Sequence, residues 1–167
     1  TGNLGDSYLG LKALSNKVKF KNKDKLFFVD KYYKPELPLN LTKYLLKFAN
    51  SSIDVSDGLI DDLAKMINRQ SLSFHLFENK IPVSNKLSNF IKKQRLNKIN
   101  LISNGDDYQV LFTADIKKAR IIQNASKSTR IKITKIGKIV SGKDRSLIFD
   151  EKGKQIQAKS KGYIHQF

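Results

Sequence analysis

The apolar residues of this chain change period several times, and that constrains the fold more than any other feature of its 167 residues. Between Ser71 and Phe77 every second residue is apolar, which puts Leu72, Phe74 and Leu76 on one face of an extended strand. Ile131 to Ile139 alternates in the same way and predicts another strand. Upstream, Leu59, Leu63 and Met66-Ile67 recur at the helical interval and form one stripe of a helix that begins near Asp57. A chain that switches between periods of about 2 and about 3.6 residues packs helices against a sheet.

The remaining segments fit that scheme. Leu4 to Leu14 reads as a short helix, Lys17 to Lys25 as a solvated loop, and Tyr32 to Pro38 as extended because each proline disfavours helix in the residue before it. Leu41, Leu45 and Phe48-Ala49 return at helical spacing. Ser52 to Val55 predicts a short strand, Lys86 to Leu96 a helix, Tyr108 to Thr113 a strand and Ile116 to Ala125 a helix. Leu147-Phe149 and Gln155-Gln157 flank an Asp150-Glu151-Lys152-Gly153 turn as a hairpin. The expected fold class is α/β (α+β), a mixed β-sheet with flanking helices, as one domain over 1–167.

Composition removes several functional classes. No apolar run approaches the ~20 residues that cross a bilayer, so no membrane partner is expected. The chain has no cysteine, which excludes a disulfide framework and a thiolate zinc site and fits a cytoplasmic protein. Thr1-Gly2-Asn3 is neither an initiator start nor a signal peptide, so Thr1 is read as an internal cut. Lys and Arg number 32 against 15 acidic residues, a net charge of +17 that suggests a polyanion partner. Against a dedicated nucleic-acid surface, arginines are few and the lysines spread along the whole chain.

Chemistry concentrates in four stretches. In Ser52-Ile53-Asp54-Val55-Ser56-Asp57-Gly58-Leu59, a strand delivers Ser56, Asp57 and Gly58 to a helix start, where free N–H groups and the helix dipole suit a phosphate. Asp54 and Asp57 are hard oxygen donors of the kind magnesium takes. The same residues equally suit a plain helix cap with Asp54 in a strand-end turn, and spacing does not choose between the readings. Ser103 to Phe112 places Asp106 and Asp107 after Gly105, before an apolar strand; neighbours on a strand face opposite ways, so the two carboxylates have different tasks. The segment also suits an ordinary turn. The chain opens with Thr1-Gly2-Asn3-Leu4-Gly5-Asp6-Ser7, which is no Walker A loop, and closes with Gly162-Tyr163-Ile164-His165-Gln166-Phe167.

In this order the four stretches resemble the thiamine-monophosphate kinases, which carry Thr-Gly-x-x-Gly-Asp-Ser, Ile-Asp-Val-Ser-Asp-Gly-Leu, Gly-Gly-Asp-Asp-Tyr-Glu-Leu and a terminal Gly-aromatic-x-His-Phe. The similarity spans the chain. It implies a fold like the C-terminal domain of aminoimidazole ribonucleotide synthetase, in a superfamily that includes selenophosphate synthetase and a hydrogenase-maturation protein. It further implies a C-terminal substrate- and phosphate-binding domain whose N-terminal ATP- and metal-binding partner domain is absent from this chain, leaving the fragment inactive alone. The complete protein is expected to be a homodimer that moves the γ-phosphoryl of ATP to thiamine monophosphate with Mg2+. By resemblance Asp54 and Asp57 hold magnesium, Ser56 and Gly58 meet the ATP phosphates, and Asp106 or Asp107, together with Tyr163, binds the thiamine moiety; no side chain is assigned a catalytic role. Another substrate within the superfamily, or a basic nucleic-acid module, are the competing readings. Asn104 stands where the family has glycine, Gln109 where it has glutamate, and Gln166 is an extra residue before Phe167.

Overall fold

Hydrogen bonding divides the strands into two sheets in the computed structural model, which describes residues 1–68 and 70–158. The smaller sheet pairs β1 (Ala49–Asp54) antiparallel with β3 (Val110–Ala114), with Asp54 opposite Val110. The larger has the order β4-β2-β5-β6, from β2 (Leu72–Phe77), β4 (Gly137–Ser141), β5 (Leu147–Phe149) and β6 (Gln155–Ile156). β2 runs antiparallel to β4 and parallel to β5, and β5 and β6 form the expected hairpin. The sheet is mixed, as the pattern predicts.

The helices among the described residues are α1 (Asp6–Leu14), α2 (Asn22–Tyr33), α3 (Thr42–Phe48), α4 (Leu59–Met66), α5 (Asn85–Gln94), α6 (Lys98–Ile102) and α7 (Ala119–Thr129). α4 turns Leu59, Ile60, Leu63 and the following Ile67 against Phe74 and Leu76 of β2 and Ile148 of β5, which makes the main core. Leu9, Phe28, Leu87 and Leu101 join α1, α2, α5 and α6 in a second core. Leu41, Phe48 and Ala125 join α3 to α7 in a third, under Phe112 of β3. Truncating a fully buried leucine such as Leu59 to alanine removes about 2–5 kcal/mol. None of these helices is long and apolar enough to cross a membrane.

Four local expectations change. Asn22 to Lys25 begins α2 instead of lying in a loop, and α2 runs through Tyr32 and Tyr33. Pro35 restricts Lys34 alone, whose φ of −135° and ψ of 70° end the helix two residues later than the extended reading allows. The alternating stretch Ile131 to Ile139 is a strand from Gly137 onward. Before that it crosses between cores: Ile131 and Ile133 pack in the third cluster and Ile136 and Ile139 in the main one. Its carbonyls are used singly, Lys132 accepting from Gly2 N–H and Ile136 from Phe77 N–H. Alternation reports buried faces, not a continuous ladder. Tyr108, finally, precedes β3 and has φ 50°.

Candidate functional site

Backbone pairing brings the two acidic loops together. Beyond the ends of β1 and β3, Val55 N–H donates to the Gln109 carbonyl (2.8 Å), Tyr108 N–H to the Val55 carbonyl (2.9 Å) and Asp106 N–H to the Ser56 carbonyl (2.9 Å). Two glycines permit this closeness. A Cβ on Gly105 would lie 1.7 Å from the Ser56 oxygen, and one on Gly58, at φ 125°, 2.3 Å from the Ser103 oxygen. Residues 56–58 and 103–106 therefore stack main chain on main chain, which side chains at either glycine would prevent.

From Asp106 to Gln109 the side chains part company. Asp106 and Tyr108 face the carboxylates at the end of β1. Burial raises the Asp106 carboxyl above its usual range, helped by the charge of Asp57, and burial with the charges of Asp106, Asp54 and Asp57 raises the Tyr108 phenol. Asp107 and Gln109 face the other way, into a cleft of about 610 Å3 lined also by Asp6, Ser7, Glu36 and Ser84. The two adjacent acids face different ways although neither lies on a strand: both precede β3, and Asp106 has φ 68°.

Asp107 is buried at the head of α1. Its Oδ2 accepts from Gly5 N–H at 2.6 Å and its Oδ1 from Ser7 N–H at 3.4 Å, so a residue a hundred positions away caps this helix. Burial outweighs those bonds and raises its pKa to about 7. Asp6 beside it is raised to about 6, again by burial, although Ser84 Oγ donates to it at 2.7 Å. Gln109 accepts from the Thr1 hydroxyl and donates through Nε2 to the Glu36 carbonyl, each at 2.8 Å. An ionised glutamate lacks that donor, so the departure from the family pattern serves a local structural bond.

The Ser56-Asp57-Gly58 loop differs from the expected phosphate site in one respect. Its N–H groups are already occupied: Ser56, Asp57 and Gly58 donate at 3.0, 2.9 and 3.0 Å to a single oxygen, Oδ2 of Asp62. Asp62 sits in the first turn of α4, almost fully buried, so its own charge offsets the dipole that was expected to attract a phosphate. Sequence reasoning passed over Asp62. The available signal was an acid four residues after Gly58, where a first-turn carboxylate reaches back to preceding amides.

Hard oxygen donors are present for a divalent cation. Carboxylate oxygens of Asp57, Asp61 and Asp62 lie within 4.8 Å of one another, while Asp54 stands exposed at the end of β1. Lys65 lies among the three, paired with Asp57, with Asp61 at 2.6 Å and with Asp62 at 3.4 Å. Bonds to Asp57 and Asp61 hold its proton more firmly than in a free lysine. The structure thus assembles Asp54, Ser56, Asp57, Gly58 and Asp106 in one region and turns Asp107 to another. Tyr163, the remaining expected contact, lies outside the described residues.

No family model matches the chain. A thiamine-monophosphate kinase of Buchnera aphidicola (subsp. Schizaphis graminum) is 35% identical over 99% of this chain and 51% of its own length. Among solved structures, AaThiL complexed with AMPPCP and TMP superposes with a TM-score of 0.75 at 28% identity, over 99% of this chain and 50% of that one. E. coli HypE, a hydrogenase maturation protein, shares the fold at a TM-score of 0.70 and 12% identity, over 98% of this chain and 49% of that one. The chain spans about half the length of the curated relatives it matches.

Proposed function

The chain is a homologue of the thiamine-monophosphate kinases that spans about half their length, and from that premise we propose that it is the C-terminal part of an ATP-dependent kinase converting thiamine monophosphate to thiamine diphosphate. The observation that carries the proposal is the backbone stacking of residues 56–58 on residues 103–106, which collects Asp54, Asp57 and Asp106 around Tyr108. In the proposed arrangement ATP and a cytoplasmic magnesium ion engage mostly through an N-terminal domain of the same polypeptide, and full-length protomers form a homodimer.

Phosphoryl transfer needs positioning and charge neutralisation more than covalent help from the protein. Asp54 and Asp57 would hold magnesium, which supplies neutralisation of phosphate charge when bound; carboxylate oxygens are the donors it prefers. With its amide engaged by Asp62, Ser56 offers its hydroxyl to the nucleotide phosphates, beside Gly58, whose lack of a Cβ lets the loop close on Ser103. Asp106 lies on the open face, where a carboxylate suits the positive thiazolium ring. Tyr163 is assigned the stacking contact with the substrate's rings, a cation–aromatic interaction of ~0.5–2 kcal/mol.

The test is chromatographic. The full-length protein, incubated with ATP and thiamine monophosphate, is expected to form thiamine diphosphate when magnesium is present and none when it is chelated. A folded protein that binds ATP and yields no product would contradict the substrate assignment.

A further inference from the structure

We infer that Asp62 is a positioning residue that sets the direction of the Asp57 carboxylate by anchoring the loop before α4; the inference rests on the role proposed above for that loop. An ordinary first-turn acid sits at the surface and caps one amide. Asp62 is 1% exposed, and its Oδ2 gathers three successive N–H groups that all precede the helix.

Three consecutive peptide planes are fixed by that one oxygen, because turning any of them breaks a bond to a charged acceptor. The Asp57 Cα lies between two of the planes, so its side chain leaves the main chain in a direction Asp62 dictates. The far side of the loop is held by the contacts of Gly58 and Gly105 with Ser103 and Ser56. Clamped from both sides, the loop fixes the main chain that carries Asp57 beside Asp106, with Lys65 paired to the Asp57 carboxylate. The same bonds give the amides a resident anion, so ligand phosphate is met by the Ser56 hydroxyl or by a cation and not by these N–H groups.

The experiment compares Asp62→Asn with Asp61→Asn in the full-length protein, by residue-resolved amide hydrogen exchange and by steady-state kinetics. Asn has the same shape and no charge. In Asp62→Asn, exchange at Ser56, Asp57 and Gly58 is expected to quicken by about tenfold or more, as expected for loss of a bond to a charged group. The Val55 and Tyr108 amides, bonded to backbone carbonyls, keep their wild-type rates. kcat falls by about 10- to 100-fold, the range seen when a group behind a metal ligand is removed, with KM for thiamine monophosphate little changed. Asp61→Asn leaves exchange at the three loop amides as in wild type.

Wild-type exchange at those amides in Asp62→Asn, or wild-type kcat with faster exchange, overturns the proposal. Should Asp62→Asn not fold, the wild-type protein decides: the three amides must be as protected as Val55 N–H, and rapid exchange there overturns the anchor. A wild-type enzyme that does not phosphorylate thiamine monophosphate sinks the functional reading instead, and the exchange pattern then judges Asp62 alone.

Discussion

Asp106 and Asp107 are neighbours in the chain and belong to different regions of the molecule. Asp106 lies on the open face with Asp54, Asp57 and Tyr108, where the backbone of two loops sets the geometry and the carboxylates stay accessible. Asp107 lies in the inner cleft, where both its oxygens meet backbone amides at the head of α1. One region keeps its acids near the surface, Asp57 paired there with Lys65; the other buries them in holding helices. Burial and hydrogen-bond partners distinguish the two uses, where residue type and sequence position do not.

The contrast can be broken most forcefully at the junction of the loops. Gly105→Ala drives a methyl into the Ser56 carbonyl and is expected to cost about 3 kcal/mol in urea unfolding, with loss of kinase activity in the full-length protein. A variant of normal stability and activity would mean the loops do not depend on their close approach. Next comes the pair itself. Asp107→Ala strands the Gly5 and Ser7 amides in a buried place and should destabilise by about 2–3 kcal/mol, against less than about 1 kcal/mol for Asp106→Ala. Asp106→Ala should instead weaken binding of thiamine monophosphate; equal stability losses would erase the distinction.

Acid sharpens the comparison further. Asp107 and Asp6 have folded-state pKa values raised to about 7 and about 6 from an ordinary 3.8, so the native state takes up protons more readily than the unfolded chain. Their ionisation therefore costs stability fully above pH about 7, and the cost fades as pH falls through those values. Unfolding followed from pH 7.5 to 5 should show that gain, and Asp107→Asn should flatten it. The smallest effect belongs to Lys65, whose ammonium end is nearly half exposed and pairs with the part-buried Asp57 and Asp61 and the buried Asp62: Lys65→Met should change stability by less than about 1 kcal/mol.

Much of this was legible in the sequence because local patterns carried it. The Leu59, Leu63, Ile67 stripe, the Leu72 to Phe77 alternation and the terminal hairpin all state their own geometry. α2 was hidden because Asn22 to Lys25 is charged and Phe28 alone among its residues is fully buried, so no apolar stripe announces it. The 131–136 stretch misled because its alternation serves two cores at once. At the site, residue types and order pointed to Asp54, Ser56, Asp57, Gly58 and the Asp106-Asp107 pair, without choosing within that pair. The sorting of Asp107 to the inner cleft and the capture of the loop amides by Asp62 depend on tertiary contacts that no window of sequence displays.

The most direct measurement of the central claim is Asp57→Asn in the full-length protein, assayed for magnesium-dependent thiamine diphosphate formation beside its unfolding midpoint. The account predicts that turnover is abolished while the midpoint stays near wild type, because Asp57 is partly exposed and the loop is held by Asp62 and Gly105. Normal turnover by a folded Asp57→Asn variant would contradict it.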